Sequence, residues 1–229
     1  MKKYLLVLLA LIIPAHIFAF SLLGGPIKVP EEKQFVIYNK QLEKTGLPDV
    51  EKADVNTTLL VYNIQTQAVK STSMFYIQGN QLHTFENNVW AIPVTTMLTV
   101  AVFEYILDNN IVSNLAFQNV NIRQDFTLSG TTPYGPVIDL DEQQFYFYIT
   151  FYLKNERNSE TKIKTIKYKQ PIASDDITAN NYVDLTNDAL KHILLELKPW
   201  LVHNLKAQII EHAKNNNPAP TLININQKV

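Results

Sequence analysis

One stretch constrains the fold more than any other: Asn87-Asn88-Val89-Trp90-Ala91-Ile92-Pro93 and the helix it launches, predicted to run from Pro93 to about Asn109. Pro93 suits the first helical position, where its missing N–H costs nothing. Behind it Val94, Met97, Leu98, Ala101, Val102, Tyr105 and Ile106 recur at i, i+3, i+4 and i+7, the period of a helix facing a core. Asp108-Asn109-Asn110 then ends it. A second apolar stripe, Val100, Phe103 and Leu107, repeats at about one turn on the opposite side, with only Thr95, Thr96, Thr99 and Glu104 between the two. A helix apolar on two sides is buried on two sides, by its own domain or by a partner. Val100, Phe103 and Leu107 are therefore the candidate partner-binding residues. Trp90 and Pro93 are the structural anchors of the helix start, with Trp90 expected in the core and not against a ligand.

The chain ahead of this stretch begins like an exported protein. Met1-Lys2-Lys3 is a short basic segment, Tyr4 to Ile13 is unbroken apolar sequence, Pro14 interrupts it, and small residues follow at Ala15, Ala19 and Ser21. Residues 1–21 are read as a Sec-type signal peptide, cut after Ala19 or Ser21, with an uncleaved N-terminal anchor as the alternative. Residues 22–33, containing Gly24-Gly25-Pro26 and Pro30, read as an extended tether. A single domain is expected over 34–214 and a disordered tail over 215–229, where Pro218 and Pro220 fall.

Within the domain, Phe35-Val36-Ile37-Tyr38 is a short strand and a polar loop with Gly46 and Pro48 follows. Thr57 to Ile64 has the β-branched and aromatic content of a central strand. Ser73 to Ile77 and Leu82 to Phe85 flank Gly79, which is free to take positive φ, and read as a hairpin. Leu115 to Asn121 is a further strand. Phe126-Thr127-Leu128, an irregular passage from Gly130 to Pro136, and Val137 to Leu140 lead into Gln144–Leu153, whose alternate positions are all large, so both its faces are expected to be covered or partly covered. Thr161 to Gln170 mixes Ile163, Ile166 and Tyr168 with lysines, as on a guarded edge strand. These three segments predict an antiparallel meander kinked near Pro133. The last element is helical, capped by Asp184 or Thr186 and striped by Leu190, Ile193, Leu194, Leu197, Leu201, Leu205 and Ile209; Pro199 inside it predicts a kink or break. The fold class is α/β (α+β): a mixed, largely antiparallel sheet packed against a middle helix and a kinked C-terminal helix.

Little in the sequence points to catalysis. With no cysteine among 229 residues, disulfides, thiolate metal sites, cysteine nucleophiles and lipoprotein-type acylation all drop out. No metal ligands, no catalytic residues and no cofactor are assigned. His83 reads as a cross-strand partner, and His192, His203 and His212 lie along the last helix without the i, i+4 spacing of a helical metal site. Asp139, Asp141 and Glu142 read as a solvated strand end, since a calcium loop needs more oxygen ligands and a turn-making glycine. Phe145-Tyr146-Phe147-Tyr148 could stack bases, but the net charge is −1 with no basic groove, so these aromatics are assigned to core and interface and no nucleic acid is expected.

The central strand at Thr57–Ile64, the hairpin over Met74–Phe85, Trp90-Ala91-Ile92-Pro93 and Met97-Leu98 onward together resemble the ABC-type transport auxiliary lipoprotein component family (paraquat-inducible protein C-like). The resemblance covers about a quarter of the chain. It implies a non-enzymatic periplasmic accessory protein of a Gram-negative cell envelope, working with an MCE-domain protein and an ABC transporter that move lipids or other hydrophobic molecules, and it is compatible with a homo-oligomer. Family members carry a lipobox cysteine; here Phe20 falls about where it would be, ahead of Ser21-Leu22-Leu23-Gly24-Gly25-Pro26. Association with the membrane is thus expected without lipidation. Two other readings remain open at this point, a soluble periplasmic lipid- or ligand-binding module and a secreted surface or virulence factor.

Overall fold

The computed structural model of the chain describes residues 30–37, 55–66, 72–118 and 121–216, with side chains described as far as residue 210. The leader, nearly all of the tether, the loop with Gly46 and Pro48 and the tail from residue 217 lie outside the described residues. In chain order the elements are β1 (Lys33–Phe35), β2 (Val55–Val61), β3 (Gln65–Thr66), β4 (Ser73–Gln78), β5 (Gln81–Trp90), α1 (Val94–Asp108), β6 (Val112–Phe117), β7 (Phe126–Thr132), β8 (Val137–Asp139), β9 (Gln144–Asn155), β10 (Thr161–Pro171), a 3-10 turn at Ser174–Asp176 and α2 (Ala179–Asn216).

The spine of the sheet is β9. Along one side it pairs over its length with β10; along the other it pairs first with β8 and then with β7. Strands β7 and β8 are thus two parts of one interrupted partner, and the interruption divides the sheet. From β7 the order continues to β2 and β6, and from β8 to β4, β5 and β1. The β8–β9–β10 succession and the β4–β5 hairpin are antiparallel, as the alternation predicts. By contrast β2 lies parallel to both β6 and β7, and β4 parallel to β8, so the sheet is mixed. Gly79 turns the hairpin at φ +57. The irregular passage is shorter than its glycine suggested: β7 runs through Gly130 to Thr132, because a bare Cα there admits Ile64 and Ile149, whose side-chain carbons would stand 3.1 and 3.3 Å from a Cβ.

Both helices lie on one face of this sheet. The odd-numbered side chains of β9 (Phe145, Phe147, Ile149, Phe151, Leu153) join Leu59 and Val61 of β2, Leu98, Val102 and Ile106 of α1, and the Leu190–Leu205 stripe of α2 in one core. The even-numbered side chains of β9 point to the other face and stay half-exposed, with Tyr148 exposed, so one face is fully covered and the other partly. Tyrosine suits the partly covered face: it has the bulk of a core residue and a hydroxyl that tolerates water.

Two expectations about helix starts change. Pro93 is the N-cap of α1, at ψ 130, and not its first helical residue; its carbonyl accepts the N–H groups of Thr96 and Met97. At the other end Asn110 takes φ +45, and the N–H groups of Asn110 and Ile111 return to the carbonyls of Leu107 and Ile106, a Schellman closure with asparagine in the place usually held by glycine. Helix α2 starts earlier than Asp184 or Thr186: Thr178 caps it by accepting the Asn181 N–H at 3.2 Å, while Thr186 is buried and donates to the Tyr182 carbonyl. It also continues unbroken through Pro199 for 38 residues, reaching Asn216 inside the expected tail. Pro199 is on the exposed side, where water can take the carbonyl it releases, and the leucines on the other side hold the helix against the sheet.

Candidate partner-docking surface

Helix α1 is held from three directions. Leu98, Val102 and Ile106 are at most 1% exposed and fix its inner side. Thr99, one of the polar positions between the two stripes, is itself buried; its hydroxyl accepts the Ile64 N–H at 2.9 Å and donates to the Thr95 carbonyl, tying the helix to the end of β2. At the C-terminal end the buried Lys198 donates to Asn109 Oδ1 at 2.8 Å, placing a cation where the helix dipole is negative. Trp90, at the end of β5, is 1% exposed and lies 5.8 Å from the Tyr182 ring. Its backbone N–H donates to Thr72, and the next N–H, of Ala91, donates to Phe35. It stands in the core with no partner for its indole Nε1.

The second stripe divides. Val100 and Leu107 remain 39% and 54% exposed. Phe103 turns toward the sheet edge and stacks on Phe117 of β6, ring centroids 3.9 Å apart and planes 13° from parallel. Phe117 was not singled out from the sequence, although its two-residue spacing from Leu115 would have put both on the helix side of β6. The surface so built is a row of Val100, Phe103 and Leu107 bordered by Phe117, beside a strand, β6, that has β2 as its sole neighbour among the described residues. It offers apolar area and no titratable side chain of the stripe itself.

Several other polar groups are committed to the fold. Asp125, before β7, accepts from Thr57 Oγ1 and the Thr58 N–H, each at 3.0 Å, and from Arg157 Nη2 at 2.5 Å. Burial alone would raise its pKa; the hydrogen bonds from Thr58, Arg157 and Thr57, with the Arg157 charge, outweigh this and hold it below the ordinary aspartate value. Asp139 Oδ1 accepts the N–H groups of Asp141 and Glu142, and Asp141 accepts the Gly79 N–H, so this acidic run closes turns. His83 is registered opposite Tyr76 and stacks on its ring at 5.2 Å. His192 Nε2 lies 3.0 Å from Glu196 and its ring 5.5 Å from Tyr168. Among the described residues no group of three histidine, aspartate or glutamate side chains converges as metal ligands, and no described helix is long and apolar enough to cross a membrane.

No family model matches the sequence, and no curated protein does. Among solved structures, the Xanthomonas campestris protein XCC0632, described under the DUF330 family, superposes with TM-score 0.58 at 18% identity, over 69% of this chain and 90% of that one. A second structure, described as an uncharacterized protein, gives TM-score 0.50 at 11% identity over 66% of this chain and 96% of that one. A PelC dodecamer from Paraburkholderia phytofirmans reaches TM-score 0.36 at 9% identity, over 62% of this chain and 88% of that one. The first two likenesses establish the fold: the chain is built like a DUF330 protein.

Proposed function

We propose that this chain is a non-enzymatic accessory component of a cell-envelope system moving lipids or other hydrophobic molecules, and that it works by docking through the outer side of α1. The observation that carries the reading is the exposure of Val100 and Leu107 beside the Phe103–Phe117 stack, on a helix whose inner side already completes the core. Two aliphatic side chains left in water on an otherwise well-packed helix form a surface that a partner stabilises by covering. The resemblance of the Trp90–Pro93 segment to transport auxiliary components and the fold shared with a DUF330 protein support this assignment. The partners we propose, as the Trp90–Pro93 resemblance implies, are an MCE-domain protein and its ABC transporter, in the periplasm.

The experiment is co-purification of the tagged chain with the MCE-domain protein of its host. Leu107→Asp and Val100→Asp should abolish recovery while the melting temperature stays within a few degrees of wild type. Phe103→Asp is the poorer probe, because it also breaks the stack on Phe117. Full recovery with both exposed positions charged would show that α1 is not the docking element.

A further inference from the structure

The sheet face turned away from the helices carries a second surface of different chemistry. Tyr146, Tyr148 and Tyr152 of β9 point to it, and the antiparallel register sets Lys169, Lys167 and Ile163 of β10 directly opposite them. Each lysine lies along its neighbour's ring: Lys169 Nζ is 4.6 Å from the Tyr146 centroid, and Lys167 Nζ is 5.8 Å from that of Tyr148. Between the lysine pairs and Ile163, Thr150 and Thr165 share a hydrogen bond of 2.9 Å, and Ile163 is 61% exposed.

Charge pairing separates these two lysines from the others on the same hairpin. Lys154 is paired with Glu156, Lys162 with Glu160 and Lys164 with Glu196. Lys167 and Lys169 have no ion-pair partner among the described residues, and both sit over tyrosines on an open face.

We propose that this face is a peripheral docking surface for an anionic phospholipid bilayer. Tyrosine rings suit the lipid–water boundary, with an apolar body and a polar tip. Lysine stems lie along apolar surface while the ammonium reaches for phosphate. A protein partner fits less well: the cores of protein interfaces are depleted in lysine, and covering Lys167 and Lys169 without supplying anions would strand two charges. The face lies across the sheet from the helices, so both surfaces can be engaged together. It would hold the protein at a membrane without the lipidated cysteine that the sequence lacks.

The test uses the full chain and sedimentation with vesicles of phosphatidylglycerol and phosphatidylcholine, against phosphatidylcholine alone. Wild type should bind the anionic vesicles more tightly, and added salt should weaken that binding. Lys167→Gln with Lys169→Gln should weaken it about thirty-fold, from the contribution of two lysines near an anionic leaflet, and Lys167→Glu with Lys169→Glu should weaken it further. Lys191→Glu with Lys206→Glu, on α2, makes the same change in net charge and should cost at most a few-fold. The leader is common to all these chains, so differences among them belong to the mutated positions, and melting curves check that each is folded. Binding that is equal on neutral vesicles, unchanged in the folded Lys167/Lys169 variants, or lost equally in the α2 variant overturns the proposal. It is also overturned if those variants keep vesicle binding and lose a protein complex instead, since the face would then be a protein interface.

Discussion

Two buried tyrosines of the same core should respond in opposite directions to the loss of one oxygen atom. Tyr182 of α2 is 1% exposed, and its hydroxyl donates to the Pro136 carbonyl at 2.5 Å, pinning the helix to the break between β7 and β8. Tyr105 of α1 is 3% exposed, and its hydroxyl has no partner. Tyr182→Phe leaves the Pro136 carbonyl without that bond in a dry site, which costs about 1–3 kcal/mol. For a domain of this size that is a drop in melting temperature of about 2–12 °C. Tyr105→Phe removes a desolvated hydroxyl that is repaid by no hydrogen bond, so it should be neutral or should raise stability by up to about 1 kcal/mol. Urea and thermal unfolding followed by circular dichroism, on both variants and the double, would measure this. The residues share no hydrogen bond, so the two effects should add. Alkaline titration gives an independent check on Tyr105. Burial pushes its pKa up to about 12, so the stability that its neutral form contributes is complete below about pH 10 and is lost as pH rises toward 12. Equal destabilisation by the two substitutions would refute the reasoning, because it would mean that the Tyr105 hydroxyl is satisfied in solution.

Asp125 should make stability pH-dependent on the acid side. Its pKa is lowered in the folded chain, so its contribution is full above the ordinary aspartate value of 3.8 and disappears as pH falls through the folded value. Asp125→Asn should therefore cost about 1–2 kcal/mol at pH 7, with the gap to wild type closing in urea titrations as the pH is taken below about 4; a gap independent of pH would contradict this. Pro199→Ala, at an exposed position inside α2, should restore a backbone hydrogen bond and raise stability by up to about 3 kcal/mol, seen as a higher urea midpoint. A lower midpoint would mean that the proline's curvature is needed to seat the leucine stripe.

The sequence declared those elements whose periodicity is strong and whose ends carry chemistry. Helix α1 was legible because its inner residues repeat cleanly, and the hairpin because Gly79 marks the turn. The succession β8–β9–β10 followed from sequence adjacency. Pairing between strands distant in the chain was not legible: nothing in Val55–Val61 says that it lies parallel to both Val112–Phe117 and Phe126–Thr132, since alternation encodes a face and not a neighbour. The start of α2 was misread for a related reason. Asp184 and Thr186 are good caps by local rules, while the burial of Tyr182, Leu185 and the leucines beyond draws the helix start back to Ala179. At the candidate site the apolar stripe was visible, but the turn of Phe103 onto Phe117 was not, because it depends on β6 lying beside β2. The tyrosines of the second face were read as core and interface and its lysines as an edge guard, since without register nothing places Lys167 over Tyr148 or Lys169 over Tyr146.

The claim that α1 is the docking element is tested most directly by placing a photo-crosslinking amino acid at position 107 in the full chain, expressed in its host, with position 206 on α2 as the comparison. The account predicts a crosslink from position 107 to an MCE-domain envelope protein, identified by peptide mass spectrometry, and none to that protein from position 206. A folded protein that crosslinks to no envelope partner from position 107, or to the same partner equally from both positions, would contradict it.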